Sequence, residues 1–142
     1  MLDDKWHSRF IKLADMVATW SKDPSTKVGA VITQEKHVIS LGYNGFPAGI
    51  VDGEDDLANR SVKYAMTVHA EINAIIQAHG RGDTLYCTHF CCSNCAAAII
   101  NAGIKNVYFR VPSSDMISRW GESFEIAKHL FQEANVLVML IP

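Results

Sequence analysis

A mixed sheet of five strands with helices on both faces, an α/β architecture, is the fold this sequence predicts. Three observations predict it. A hairpin pattern lies near the start of the chain. From residue 69 onward strand patterns alternate with helical ones, the order that lays neighbouring strands parallel. A last apolar strand over residues 136–141 would tie the C-terminus into the sheet. The 142 residues fit one core, so a single domain over 1–142 is expected.

The elements follow in order. Residues 8–20 place Phe10, Leu13, Ala14, Val17 and Trp20 at helical spacing, the pattern of one buried face. Asp23-Pro24 breaks that helix. Val28 to Ile32 reads as a strand buried on both sides and Val38 to Leu41 as its partner, with a turn at Gln34-Glu35-Lys36. Gly42 to Pro47 is a loop punctuated by glycine and proline. Residues 49–66 read as polar and irregular, with Asp52, Glu54, Asp55 and Asp56 as a solvated acidic patch. A helix opens at His69, places Ile72, Ile75 and Ile76 on one apolar face, and stops at Gly80. Thr84 to His89 is a strand, Cys92 to Ala102 a helix ended by Gly103, and Val107 to Phe109 a strand. Trp120, Phe124, Ala127, Phe131 and Ala134 mark the apolar face of the last helix.

Composition narrows the function. The apolar share of 49% is ordinary for a globular protein. A net charge of −2 gives no footprint for a polynucleotide, although a mononucleotide needs only a few local cations. No basic segment followed by an apolar run opens the chain, and no apolar run approaches a membrane span. A cytoplasmic protein with no membrane partner is therefore expected. All four cysteines fall between Cys87 and Cys95. A disulfide framework spreads its cysteines to cross-link distant segments, so this clustering points to metal binding instead.

Two short motifs carry the chemistry: His69-Ala70-Glu71 and Cys92-Ser93-Asn94-Cys95. Two thiolates and one imidazole suit zinc, and three protein ligands leave a fourth position for water, as in catalytic sites. A helix N-terminus favours the thiolate form through its free amides and dipole. Taken singly, His69 is an ordinary histidine and Glu71 a first-turn carboxylate that the dipole favours. Cys87 or Cys91 could complete a four-ligand structural knuckle instead. The second histidine of an H-E-x-x-H protease is absent, because Asn73 stands four residues after His69. Together the two motifs follow H-x-E…P-C-x-x-C, the signature of zinc nucleobase deaminases. One departure is visible: Cys91 occupies the position of the proline. That leaves Cys92, preferred here because it forms the C-x-x-C turn, with a rival beside it.

Four segments carry a wider resemblance: SKDPSTKVGAVI at 21–32, GYNGFPAG at 42–49, KYAMTVHAEINAI at 63–75 and TLYCTHFCCSNCAAAIINAGIK at 84–105. In them the chain resembles the deoxycytidylate (dCMP) deaminase family, within the cytidine deaminase superfamily. The resemblance implies the three-layer cytidine-deaminase-like fold and zinc-dependent hydrolysis of dCMP to dUMP and ammonia, feeding dTMP synthesis. Whether dCTP is also converted to dUTP stays open. It implies one catalytic Zn²⁺ on His69, Cys92 and Cys95, and a homo-oligomer, commonly a hexamer. It also implies allosteric control, with dCTP activating and dTTP inhibiting as magnesium-bound triphosphates near the GYNG loop. Some relatives carry a second, structural zinc on cysteines in the N-terminal half, and this chain has no cysteine before Cys87. Deamination of another nucleotide, or of adenosine in tRNA, is the alternative; the long stretch from Asn44 to His69 and the near-neutral charge weigh against tRNA.

In the expected chemistry zinc brings the pKa of water from about 15.7 toward neutrality. Glu71, which is not a ligand, moves a proton to N3 of the base and another to the leaving amine. Because His69 and Glu71 are two apart they would not share a face of a regular helix, so His69 is expected just ahead of the first turn. Asn44, in a loop whose glycines allow close approach, is the candidate for the sugar or base. Ser25, Thr26 and Lys27 are candidates for the 5′-phosphate, since hydroxyls with a lysine suit that group. Ala70 and Tyr64 complete the expected substrate site, and Cys87 reads as a buried strand residue.

Overall fold

The structure, a computed structural model, describes residues 2–142. Helix α1 spans Asp4–Ala18, and strands β1 (Gly29–Gln34) and β2 (His37–Tyr43) follow. Two short helices, α2 (Glu54–Ala58) and α3 (Arg60–Met66), precede α4 (Ala70–Ala78). Then come β3 (Thr84–Cys87), α5 (Ser93–Asn101), β4 (Asn106–Arg110), α6 (Ser114–Glu133) and β5 (Leu137–Ile141). The strand order is β2-β1-β3-β4-β5, with β1 antiparallel to both neighbours and β3, β4 and β5 parallel. The expected mixed five-stranded sheet is thus observed. Its hairpin closes through Glu35 and Lys36, Glu35 taking the left-handed backbone that a tight turn requires.

The sheet separates two cores, as the period-2 alternation of its strands demands. On one face Phe10, Ile11 and Ala14 of α1 pack on Val31, Tyr86 and Tyr108. On the other, α4, α5 and α6 cover Ala30, Ile32, Leu85, Val107 and Phe109. Two glycines let helices lie unusually close to the sheet. A Cβ on Gly42 of β2 would collide with the backbone of Ala70 and Ala74 in α4, and one on Gly29 with Ala14 and Ala18 in α1. The alanine stripe Ala70, Ala74 and Ala78 gives α4 the matching flat face.

Three expectations need correction. Ile76 does not share the covered face of α4: it is exposed, because the helix turns Ala70, Ala74 and Ala78 inward and leaves Ile72 and Ile75 only partly buried. Trp20 is not on a buried helix face. The helix stops at Ala18, where Thr19 bonds back to the Met16 carbonyl, and Trp20 lies exposed against the edge of Tyr43. Residues 49–66 are not irregular throughout. Glu54, Asp55 and Asp56 form the first turn of α2, where acidic groups complement the helix dipole. Asn59 caps α3 by accepting from the Val62 amide. No helix among the described residues is long and apolar enough to cross a membrane.

Candidate metal centre and substrate pocket

Two helix N-termini build the centre. His69 is the N-cap of α4 and Cys92 the N-cap of α5, both in extended backbone, and Cys95 lies in the first turn of α5. Neither side chain makes the usual capping hydrogen bond, and the two meet across the gap between the helix starts. His69 Nδ1 stands 3.2 Å from Cys95 Sγ and 3.6 Å from Cys92 Sγ. The three donor atoms lie within 4.8 Å of one another, the one such group of three histidine, cysteine or acidic side chains among the described residues. Cys91 and Cys87 are buried in the apolar core and take no part in it. Cys91 points away because it precedes the cap, where extended backbone sends neighbouring side chains to opposite sides.

The donor set fits zinc. A hydrogen bond from Cys95 is the largest influence on Cys92; with His69 it overcomes burial and lowers the Cys92 thiol to about 4. Cys95, which keeps the proton shared by the two sulfurs, is raised. His69 is raised chiefly by its bond to Cys92, against burial. The cluster therefore holds a thiolate and a histidine that favours its charged form, around protons that a soft-ligand dication would replace.

Glu71 follows in the first turn of α4 and is 4% exposed. Burial pushes its carboxyl upward, the nearby Cys92 adds to this, and His69 opposes it. His69 stands ahead of the first turn, so a two-residue separation still brings both groups to one pocket.

That pocket has a volume of about 340 Å³. His69, Ala70, Glu71 and Cys92 line it together with Ser25, Thr26, Asn44 and Tyr64. Asn44 is buried and already employed: Oδ1 accepts from the Val28 amide at 2.8 Å and Nδ2 donates to the Thr26 carbonyl at 2.9 Å. It clamps the GYNG loop to the segment before β1, with one lone pair and one proton still unspent. Ala70 is fully buried and offers only its backbone. Lys27 is not among the lining residues. Its ammonium donates to the Ser21 carbonyl at 2.6 Å, and it lines a neighbouring pocket instead.

Sequence reading did not single out several lining residues, four of them charged or aromatic groups from distant parts of the chain. Asp23 and Lys63, forty positions apart, form a buried ion pair of 3.1 Å. Asp23 Oδ1 also accepts from the amides of Ser25 and Thr26, which sets the shape of that loop. Arg119 and Trp120 come from α6, and the Trp120 ring lies 5.9 Å from that of Tyr64 to make an aromatic wall. The one available signal was an arginine beside the tryptophan on an otherwise ordinary amphipathic helix.

Comparison with known proteins agrees with this geometry. The sequence pattern described as the cytidine and deoxycytidylate deaminase zinc-binding region matches residues 4–111. A deaminase of the luxG 3′ region of Aliivibrio fischeri is 46% identical over 140 residues, covering 97% of this chain and 95% of that one. Human deoxycytidylate deaminase is 35% identical over 146 residues, covering 93% and 77%. Among solved structures, cyanophage S-TIM5 dCMP deaminase in complex with dCMP and dUMP superposes with a TM-score of 0.78. It is 25% identical and is matched over 99% of this chain and 100% of that one.

Proposed function

The chain belongs to the cytidine and deoxycytidylate deaminase family, and on that premise we propose that it hydrolyses dCMP to dUMP and ammonia. The observation that carries this reading is the cluster of His69, Cys92 and Cys95, two of which line a pocket of mononucleotide size together with a buried Glu71. Similarity over most of the chain to enzymes named deoxycytidylate deaminase, and over nearly its whole length to a dCMP deaminase solved with dCMP and dUMP, supports the choice of base and of monophosphate.

His69, Cys92 and Cys95 would hold one zinc ion, whose Lewis acidity brings the pKa of water from about 15.7 toward neutrality. The residues of the chain do the rest. Glu71, already inclined to hold a proton, takes one from the attacking water and places it on N3 of the cytosine. Protonation there makes C4 more electrophilic. The water oxygen bonds to C4, Glu71 takes the second proton from the new C4 hydroxyl and passes it to N4, and the C4–N4 bond breaks as C4=O forms and ammonia leaves. Such proton transfer contributes typically about 10²–10⁴-fold. Tyr64 and Trp120 supply the apolar wall, while Ser25, Thr26 and the amide at Ala70 supply polar contacts.

The same reading includes a homohexamer, and activation by dCTP and inhibition by dTTP with Mg²⁺. It also places the product upstream of dTMP synthesis. Its test is ammonia release from a panel of dCMP, dCTP, cytidine and an adenosine-bearing tRNA stem-loop. Turnover of dCMP above the others is the expected result, and preference for the stem-loop would replace the reading.

A further inference from the structure

A nucleotide substrate brings a phosphate, and the charge of that group has to be met in the pocket. Among the described lining residues two side chains carry a permanent cation, Lys63 and Arg119. Lys63 is already committed. Its ammonium lies 3.1 Å from Asp23, and both side chains are nearly closed to solvent, at 6% and 10% exposed. Removing Lys63 from that pair would strand a buried carboxylate, so the pair acts as one neutral unit. Arg119 differs. Its partner is Asp115, one turn earlier on α6 at 3.1 Å and 77% exposed, which does not line the pocket. An ion pair of that kind holds weakly and is readily exchanged for a better anion.

Position favours Arg119 as well. Ser123 Oγ accepts from the Ser93 amide at 2.8 Å, which pins α6 to the start of α5 beside Cys92. Arg119 stands one helical turn from Ser123, about 6 Å along the axis. The reacting carbon must lie on the floor beside Glu71, so the 5′ end of a nucleotide points outward to the rim. Arg119, with its side chain 33% exposed, is at that rim, and Ser25 and Thr26 line the same pocket.

We propose that Arg119 is the residue that reads the phosphate of the substrate, in place of Lys27. This rests on the nucleotide-deaminase reading above. The guanidinium leaves Asp115 and takes two phosphate oxygens in a forked pair of hydrogen bonds, a geometry lysine cannot reproduce.

The test compares wild type with Arg119→Ala, Arg119→Lys and Asp115→Asn, each with zinc content and thermal melting measured alongside. KM for dCMP is expected to rise about 10- to 100-fold in Arg119→Ala, as for loss of hydrogen bonds to a charged group. The rise should exceed any fall in kcat. The preference for dCMP over deoxycytidine should shrink in parallel, inorganic phosphate should cease to compete, and Arg119→Lys should recover part of the loss. Asp115→Asn, which frees the guanidinium, should tighten dCMP. Two results would overturn the assignment: a KM and substrate preference within about twofold of wild type in zinc-replete Arg119→Ala, or a KM rise in Asp115→Asn equal to that in Arg119→Ala. Wild type that turns over no dCMP at all would instead remove the deaminase reading, and the assignment with it.

Discussion

Gly42→Ala adds one methyl group on β2, against the backbone of α4 rather than against any proposed ligand or proton-transferring side chain, and should still slow the enzyme. The new Cβ would meet the carbonyl of Ala70 and the amide of Ala74, and would lie 3.0 Å from Ala74 Cα. Ordinary contacts are about 3.5 Å, and the Ala74 amide would stand at 2.5 Å with the Ala70 carbonyl closer still, so α4 must retreat from the sheet by about 1 Å. No flexible side chain stands between to absorb the strain, because every one of these contacts is backbone. Overpacking of this kind costs about 1–3 kcal/mol. The helix that moves carries His69 at its cap and Glu71 in its first turn. A misplacement of 1 Å at a reacting group can lower a rate about 10²-fold, so kcat should fall by roughly 10- to 100-fold. Steady-state kinetics on dCMP and urea melts of zinc-loaded protein measure both effects. Gly121→Ala is the control, since its added Cβ meets only Ile117 Cγ2 at 3.8 Å inside α6. It should gain about 0.5–1 kcal/mol. A Gly42→Ala protein with wild-type kcat and melting would show that this helix–strand contact does not set the geometry of the site.

Glu71→Gln keeps the shape of the side chain but cannot carry a proton. It should retain zinc by metal analysis and lose activity about 10²–10⁴-fold; full turnover would remove the proton-transfer role. Cys92→Ala should lose zinc while Cys91→Ala keeps it, because only Cys92 joins His69 and Cys95; the reverse pattern would reassign the ligand. Asp23 gives a pH signature. Burial opposes its ionisation, but the amides of Thr26 and Ser25 and the Lys63 ammonium outweigh it and hold the carboxyl below its ordinary 3.8. A lowered folded value means the stabilisation is complete above the unfolded pKa and disappears as pH falls through the folded one. Acid unfolding below about pH 4 should therefore flatten in Asp23→Asn, as read by melting temperature against pH; an unchanged acid limb would show that the pair contributes nothing there.

The His69, Cys92 and Cys95 cluster was legible because each residue lies at a helix start that local sequence defines. His69 and Cys92 precede apolar helical runs, and the three-residue step to Cys95 brings both sulfurs to one side of a first turn. The choice of Cys92 over Cys91 follows from the same local rule. The strand and helix periodicities behind the sheet are also near-neighbour properties, so its mixed topology could be read from their order. Errors fell where short-range signals compete. Thr19 ended α1 before Trp20, and a capping Asn59 made helix out of a polar stretch.

What the chain determines by itself is the chemistry of one centre: an imidazole, two thiols and a carboxylate held by two helix starts that residue types and spacing specify. The tertiary fold decided which charges line the pocket beside it. Asp23 meets Lys63 across forty residues, Arg119 and Trp120 arrive from a helix that follows the last ligand, and Lys27 turns aside to a backbone carbonyl. The physical reason is range. Helix caps and periodicity are set by contacts a few residues apart, whereas a cation's partner is set by whichever distant group the packing of sheet and helices brings within hydrogen-bond reach.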